Sequence, residues 1–198
     1  MIGEWRRSPM MTHHALSLDI RRIVTDSDLD GVMTAAILRR WWPDSEIVFG
    51  HPGALRAGML DDVIDRHTAV CDLPRHPQCG LSIDHHQSNA QPDALGSSEM
   101  VVVWEPTPSA ARIAFEMVGE VVDITDLAEL MEWVDKLDGG SISKEEYLSD
   151  QPVVRLGRII GGNDEISLEI LEALSRGDSV EAILSSENIA PVVAEKRE

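Results

Sequence analysis

I-V-T-D-S-D-L-D-G, residues 23–31, is the stretch that decides the fold: a short apolar run leads into three aspartates and a glycine. The same arrangement recurs in A-V-C-D at residues 69–72 and in L-S-I-D-H-H at residues 81–86. Short apolar runs that alternate with helical patterns predict an α/β fold, a mostly parallel β-sheet flanked by helices. In such sheets ligands bind outside the carboxyl ends of the strands, so these acidic residues lie where a site is expected.

The apolar periodicity assigns elements along the rest of the chain. Strands are predicted at residues 20–25, 47–49, 68–71, 81–83 and 100–104. Helices are predicted at residues 32–42, 57–66, 108–118, 124–137, 165–174 and 180–184. Thr107 is the predicted N-cap of the third of these helices, with Pro108 as its first residue. Residues 1–18 are expected to form a flexible tail, and the charged C-terminal residues to fray.

The composition limits the classes of function. Acidic residues outnumber lysine and arginine 35 to 17, for a formal net charge of −18. This argues against binding long duplex DNA, because phosphate contacts need a basic face. No apolar run approaches the ~20 residues that span a bilayer, so no membrane association is expected. Without a secretory signal, and with two cysteines (Cys71 and Cys79) that form no C-x-x-C pair, a cytoplasmic protein with structural thiols is predicted.

Three acidic strand ends on one edge of a sheet indicate a metal site. Clustered carboxylates raise one another's pKa and weaken the fold unless cations neutralise them. Oxygen-rich ligation with an imidazole suits Mn²⁺ or Mg²⁺. A single aspartate after a strand is usually a turn or cap residue, but three such ends in one chain are not independent accidents. The candidate residues are Asp26, Asp28, Asp30, Asp72, Asp84, His85 and His86.

A calcium-binding EF-hand is the alternative interpretation of D-S-D-L-D-G at residues 26–31, which matches the first six positions of that loop. The EF-hand loop needs a bidentate glutamate at its twelfth position, which here is Ile37. It also needs a preceding helix, where this sequence predicts a strand. The EF-hand is therefore rejected.

The ordered set of motifs resembles the DHH phosphoesterase superfamily. D-S-D-L-D-G resembles the first motif, in the form found in RecJ-type nucleases, and V-C-D-L resembles the second. I-D-H-H-Q-S-N is similar to the third motif, and T-P-S-A-A-R-I-A-F-E to the helix that follows it. The resemblance covers residues 20–140 and rests on the order and spacing of the motifs, since D-H-H alone is a weak signal.

The resemblance implies two divalent metal ions, with Mn²⁺ expected and Mg²⁺ as the alternative. Asp28 and Asp30 would each hold one ion, Asp72 would bridge them, and His85 would be a ligand. Other members carry a histidine at the position of Val24, and the RecJ-type pattern implies that Asp26 replaces it as a ligand.

The resemblance assigns catalysis to His86, which would face the substrate phosphate, and to Asp84, which would orient the histidines from behind or ligate directly. A fourth motif should supply one further metal ligand. Asp135, in M-E-W-V-D-K-L-D-G-G, is preferred, and Asp138 is the rival. Arg112 could reach the cleft from its helix, but a surface salt bridge is the favoured interpretation.

The expected function is that of a metal-dependent phosphoesterase that hydrolyses a nucleotide, a dinucleotide or short single-stranded nucleic acid by a two-metal mechanism. One alternative is an inorganic pyrophosphatase, against which Val24 counts. The other is a degenerate, non-catalytic scaffold in a replication or repair assembly, against which the nearly complete ligand set counts. The oligomeric state is left open by the sequence.

The domain division follows from the same resemblance. Residues 19–140 would form the catalytic domain, and residues 141–198 a loop and helical extension that acts as a linker or partial lid. Larger members carry a DHH-associated domain with a glycine-rich motif that contains a histidine. I-I-G-G-N-D at residues 159–164 lacks that histidine. Either the chain is a fragment or it holds its substrate differently.

Overall fold

A five-stranded parallel sheet in the order β2-β1-β3-β4-β5 forms the centre of the computed structural model, which describes residues 8–90 and 100–196. The predicted fold class is confirmed. The strands are β1 Arg22–Asp26, β2 Glu46–Gly50, β3 Thr68–Cys71, β4 Leu81–Asp84 and β5 Val101–Trp104.

The strand order creates a crevice at the carboxyl edge. From β1 the chain passes to β2 on one side and then to β3 on the other, so the direction of winding reverses between β1 and β3. Ligands of open α/β sheets bind at this switch point. Thr25 of β1 lies beside Cys71 of β3, and Cys71 lies beside Ile83 of β4, so the three acidic strand ends are in register.

Helices cover the sheet. They are α1 Pro9–Leu16, α2 Leu29–Arg39, α3 Pro52–Arg56, α4 Ala110–Gly119, α5 Ala128–Asp138, α6 Lys144–Tyr147, α7 Pro152–Ile159, α8 Asp164–Arg176, α9 Val180–Leu184 and α10 Ile189–Glu195. Every residue of α2 from Asp30 to Leu38 is buried, because the helix packs against the sheet, α4 and α8. In the described ranges, no helix is long and apolar enough to cross a bilayer.

Two predicted helices begin elsewhere. The helix predicted at residues 57–66 is wrong: Pro52 opens α3, the His51 side chain accepts from the Gly53 N–H, and Gly58 follows in a left-handed conformation at φ +72. Turns occupy residues 57–63 and residue 66 of that segment. The Thr107 cap of α4 is also wrong, because Ser109 accepts from the Arg112 N–H and the helix begins after it.

The predicted tail and C-terminal extension contain more structure than expected. Residues 9–16 form α1, which buries Ala15 and Leu16 in the core, since its apolar residues find a packing surface that periodicity alone does not reveal. α6, α7 and α10 were not predicted. Leu156 and Ile170 belong to the same buried cluster as Met131, so the core is continuous across residue 140. The role of residues 141–198 as a partial lid stays a prediction.

Candidate metal centre

The loop after β1 is a tight turn that presents aspartates to the switch point. Asp26 ends the strand, and Asp28 is the N-cap of α2, where its Oδ1 accepts from the Gly31 N–H at 2.9 Å. A Cβ at Gly31 would lie 2.2 Å from the Asp26 carbonyl oxygen, so glycine alone fits there. Burial, followed by the nearby charge of Asp28, raises the pKa of Asp26 against a backbone hydrogen bond.

Asp30 is buried and held by the first turn of α4. Its Oδ2 accepts from the Ala110 N–H and its Oδ1 from the Ala111 N–H, both at 2.7 Å. A helix N-terminus favours a carboxylate because its first N–H groups have no partner within the helix. Burial and the nearby Asp138 nevertheless raise the pKa of Asp30 to about 8, so these donors offset only part of the desolvation.

Asp72 has no such support. It follows β3 with φ +55, a left-handed conformation that is uncommon for a residue with a side chain. Its Oδ1 is buried and finds no hydrogen-bond partner within residues 8–90 and 100–196. Burial, then the charge of Asp30, raises the pKa of Asp72 to about 12. A strained backbone that carries an unpartnered buried carboxylate points to a functional role.

His85 points one ring nitrogen toward the carboxylates of Asp30, Asp72 and Asp138. Its Nδ1 lies 3.2 Å from the Thr107 carbonyl oxygen, an acceptor, so Nδ1 carries the proton and Nε2 is the free nitrogen. Nε2 lies 3.4 Å from Asp30 Oδ2, 3.6 Å from Asp72 Oδ1 and 3.2 Å from Asp138 Oδ2. It is buried without a hydrogen bond to any described residue. In the neutral ring, its lone pair faces carboxylate oxygens.

The Asp84 carboxylate binds the two histidines rather than facing the other acidic side chains. Its Oδ1 accepts from the N–H groups of His85 and His86 at 2.8 and 3.0 Å and lies 2.9 Å from His86 Nδ1. Its Oδ2 accepts from Asn89 Nδ2 at 2.6 Å. The His86 side chain is 48% exposed, and Trp104 Nε1 donates to the His86 carbonyl. Of the two roles open to Asp84, the geometry favours orientation of the histidines.

The two candidates for the fourth motif have different contacts. Asp138 ends α5 and reaches His85, and burial raises its pKa although the nearby His85 lowers it. Asp135 accepts from Arg112 Nε and Nη2 at 2.8 and 2.6 Å and from Ser109 Oγ at 2.7 Å. Asp135 as the ligand stays a prediction, and the geometry favours Asp138, because Arg112 on the neighbouring helix already pairs with the Asp135 carboxylate.

Two groups of possible ligand atoms result, each with all atoms within 4.8 Å of one another. One is Asp72, His85 and His86, and the other is Asp30, His85 and Asp138. Asp26, which is half-buried, and Asp28, which is exposed, were also predicted as ligands and belong to neither group. Thr107 and Asn89 were missed as supports, although Asn89 stands in the quoted I-D-H-H-Q-S-N and could have been identified as a hydrogen-bond donor.

The donor set fits divalent cations. Two buried ligand atoms, Asp72 Oδ1 and His85 Nε2, lack hydrogen bonds in the described chain, and carboxylate oxygens surround them. An octahedron with bonds of about 2.1 Å has edges of about 3.0 Å. The 3.2–3.6 Å spacings around His85 Nε2 are close to that value. Carboxylates with imidazole, and no thiolate among them, favour Mn²⁺ or Mg²⁺.

Comparisons with solved structures confirm the α/β fold. No protein-family profile and no curated protein sequence matches the chain. Among solved structures, the pGpG-specific phosphodiesterase PggH from Vibrio cholerae is similar with a TM-score of 0.69 and 24% identity, over 87% of this chain. The exonuclease RecJ bound to manganese is similar with a TM-score of 0.46 and 15% identity, over 94% of this chain. The chain spans 58% of the length of PggH and 64% of that of RecJ.

The buried acids predict how stability without metal depends on pH. The folded-state pKa values of about 8 for Asp30 and about 12 for Asp72 lie above the ~3.9 of an unfolded aspartate. The folded chain then binds more protons than the unfolded chain, so these two groups lower stability as pH rises above about 4. We expect Asp72→Asn to raise the melting temperature in chelator, by an amount that grows from pH 5.5 to 8.

Melting curves of the wild type and Asp72→Asn in EDTA test this. The effects of the carboxylates that both proteins share cancel in the difference between the two melting temperatures. Mn²⁺ should raise the melting temperature of the wild type more than that of Asp72→Asn. A difference that shrinks as pH rises would contradict the assignment of Asp72 as a buried, unsupported carboxylate.

The fourth-motif residues can be separated by metal affinity. Asp138→Asn should weaken Mn²⁺ binding at least ~10-fold, because its oxygen lies 3.2 Å from His85 Nε2. Asp135→Asn should mainly lower the melting temperature, since it leaves Arg112 without its ion pair. Calorimetric titration of both variants with Mn²⁺ measures this. A larger affinity loss in Asp135→Asn than in Asp138→Asn would restore Asp135 as the ligand.

Proposed function

We propose that this chain is a divalent-metal-dependent phosphoric ester hydrolase that acts on a nucleotide, a dinucleotide or short single-stranded nucleic acid. The observation that carries the proposal is the convergence of Asp30, Asp72, His85 and Asp138 at the carboxyl edge of the sheet, with two buried ligand atoms left unpartnered. A purely structural acid cluster would need hydrogen bonds or cationic side chains instead, and Asp72 Oδ1 has no hydrogen bond in the described chain.

The proposed ligands are the four converging side chains, completed from the rim by Asp28 or Asp26. Asp72 would be a central ligand, because its buried Oδ1 lacks a hydrogen bond in the described chain and lies 3.6 Å from His85 Nε2. When bound, the ions supply charge neutralisation at the phosphoryl oxygens and a nucleophile at neutral pH. Mn²⁺ is the proposed ion and Mg²⁺ the alternative.

His86 is the proposed catalytic residue. Asp84 Oδ1 lies 2.9 Å from Nδ1 and fixes the ring, which leaves Nε2 as the nitrogen available to a substrate. The half-exposed ring also lines a cleft of about 550 Å³ together with His85 and Lys136. From there a protonated His86 can donate to a phosphoryl oxygen or to the leaving oxygen.

The surroundings of the site favour a small substrate. A second cleft of about 250 Å³, lined by Asp28, Asp30 and Asp138, adjoins the first at Asp138. With a net charge of −18, the chain has no excess of basic residues with which to follow a long phosphate backbone. PggH is named for its action on pGpG, which makes a dinucleotide the first substrate to test here.

Hydrolysis of a panel of phosphoesters with Mn²⁺ tests the proposal. The panel contains pGpG, pApA, a short single strand, methyl p-nitrophenyl phosphate and pyrophosphate. We expect turnover of the dinucleotides and its loss in chelator. His86→Ala should lower kcat ~10²-fold with Mn²⁺ affinity nearly unchanged, and His85→Ala should weaken Mn²⁺ binding.

The matched control is His13→Ala, which removes an exposed histidine on α1 and should change neither quantity. Turnover of pyrophosphate alone would favour the pyrophosphatase alternative. Tight Mn²⁺ binding without turnover of any member of the panel would favour the non-catalytic scaffold.

A further inference from the structure

α6 and α7 contribute two side chains to the smaller cleft beside the metal centre. Tyr147 ends α6 and Arg158 lies near the end of α7, and both line the cleft that Asp30 and Asp138 also line. The chain just after α7 packs closely against the loop after β1, because a Cβ on Gly161 would lie 3.4 Å from the Ser27 carbonyl oxygen. The cleft therefore joins the metal-binding edge to the helical extension.

The guanidinium of Arg158 is anchored by backbone groups and keeps free donors. Its Nη2 donates to the carbonyl oxygens of Tyr147 at 2.6 Å and Ser149 at 3.3 Å. In the described part of the chain, no carboxylate forms an ion pair with it. Arg112 and Arg40, by contrast, are each paired with an aspartate at 2.6–2.7 Å. Nε and Nη1 of Arg158 remain available for an anion, and a planar guanidinium fork suits a phosphate.

The aromatic ring beside this guanidinium is open to a ligand. The Arg158 guanidinium carbon lies 5.9 Å from the Tyr147 ring centroid, and Tyr147 is 52% exposed. α6 is fixed in place by Glu146, which accepts from Lys136 Nζ of α5 at 2.7 Å and from the Ser143 N–H at 2.9 Å. The same contact occupies Lys136, the basic residue of the larger cleft, whereas Arg158 is left for a ligand.

We propose that Arg158 and Tyr147 form a nucleotide subsite beside the metal centre, in which Arg158 binds a phosphate other than the one being cleaved and Tyr147 stacks on the base next to it. This inference rests on the proposed function. The cleft volume of about 250 Å³ is below the ~300–1,000 Å³ of drug-sized pockets, so it suits one nucleotide unit rather than a strand. The subsite would select dinucleotides over simple diesters, because a simple diester has no second phosphate and no base.

Steady-state kinetics on pGpG and on methyl p-nitrophenyl phosphate, with Mn²⁺, test the subsite. Arg158→Gln should raise KM for pGpG at least ~10-fold with kcat within threefold, and leave turnover of the simple diester within twofold. Tyr147→Leu should raise KM for pGpG ~10-fold, and Tyr147→Trp should restore it, since stacking needs an aromatic face. Arg176→Gln, which removes an exposed arginine of α8 outside the cleft, is the control.

Equilibrium binding of pGpG in Ca²⁺ buffer separates failure of the subsite from failure of the proposed function. Binding that Arg158→Gln weakens at least ~10-fold, in a protein that hydrolyses nothing, would keep the subsite and reject the proposed function. Hydrolysis of pGpG that neither variant affects would keep the function and reject the subsite. Equal losses on pGpG and on the simple diester would also overturn the subsite, and so would the absence of pGpG binding by the wild type.

Discussion

The two hydrogen bonds from the N-terminus of α4 to the Asp30 carboxylate are the interaction on which the rest of the site depends. Ala110 and Ala111 each donate a backbone N–H at 2.7 Å to a side chain at the start of α2. The loop after β1 is thereby joined to the helix after β5, across the width of the sheet. Because α2 is buried from Asp30 to Leu38, the Asp30 carboxylate cannot move out of the site without disturbing the core.

Three buried aspartates at this edge accept different numbers of hydrogen bonds. That difference indicates where a bound cation would stabilise the site most. Asp84 has the N–H groups of His85 and His86 and the Asn89 amide as donors, and Asp30 has two helix N–H groups. Asp72 Oδ1 has no hydrogen bond in the described residues, and burial raises the pKa of Asp72. Since an isolated buried carboxylate is costly, a cation would stabilise the site most at Asp72, where the described residues donate the fewest hydrogen bonds.

The sequence was sufficient to predict the parallel sheet and the three acidic strand ends, because buried strands leave short apolar runs with polar residues at their ends. It ranked Asp135 above Asp138, because residues three apart share a helix face and the ion pair of Asp135 with Arg112 on another helix is not visible in the sequence pattern. It also predicted Thr107 as the cap of α4, where Ser109 is the cap, because threonine and serine are both good caps; the Thr107 carbonyl accepts from His85 instead. α7 was missed because a short apolar run does not show which surface it packs against.

The contacts of residues 107–111 join the segment T-P-S-A-A-R to the acidic strand ends. The Thr107 carbonyl fixes the ring of His85, and the next N–H groups fix the buried carboxylate of the first motif. Ser109 Oγ donates to Asp135, which lies one turn before Asp138 on α5. One turn of chain therefore contacts the side chains of His85, Asp30 and Asp135, which belong to three different parts of the fold. Most of these contacts are made by backbone groups, which a side-chain substitution does not remove, so the positions of these side chains are set by the path of the chain more than by any single residue of the turn.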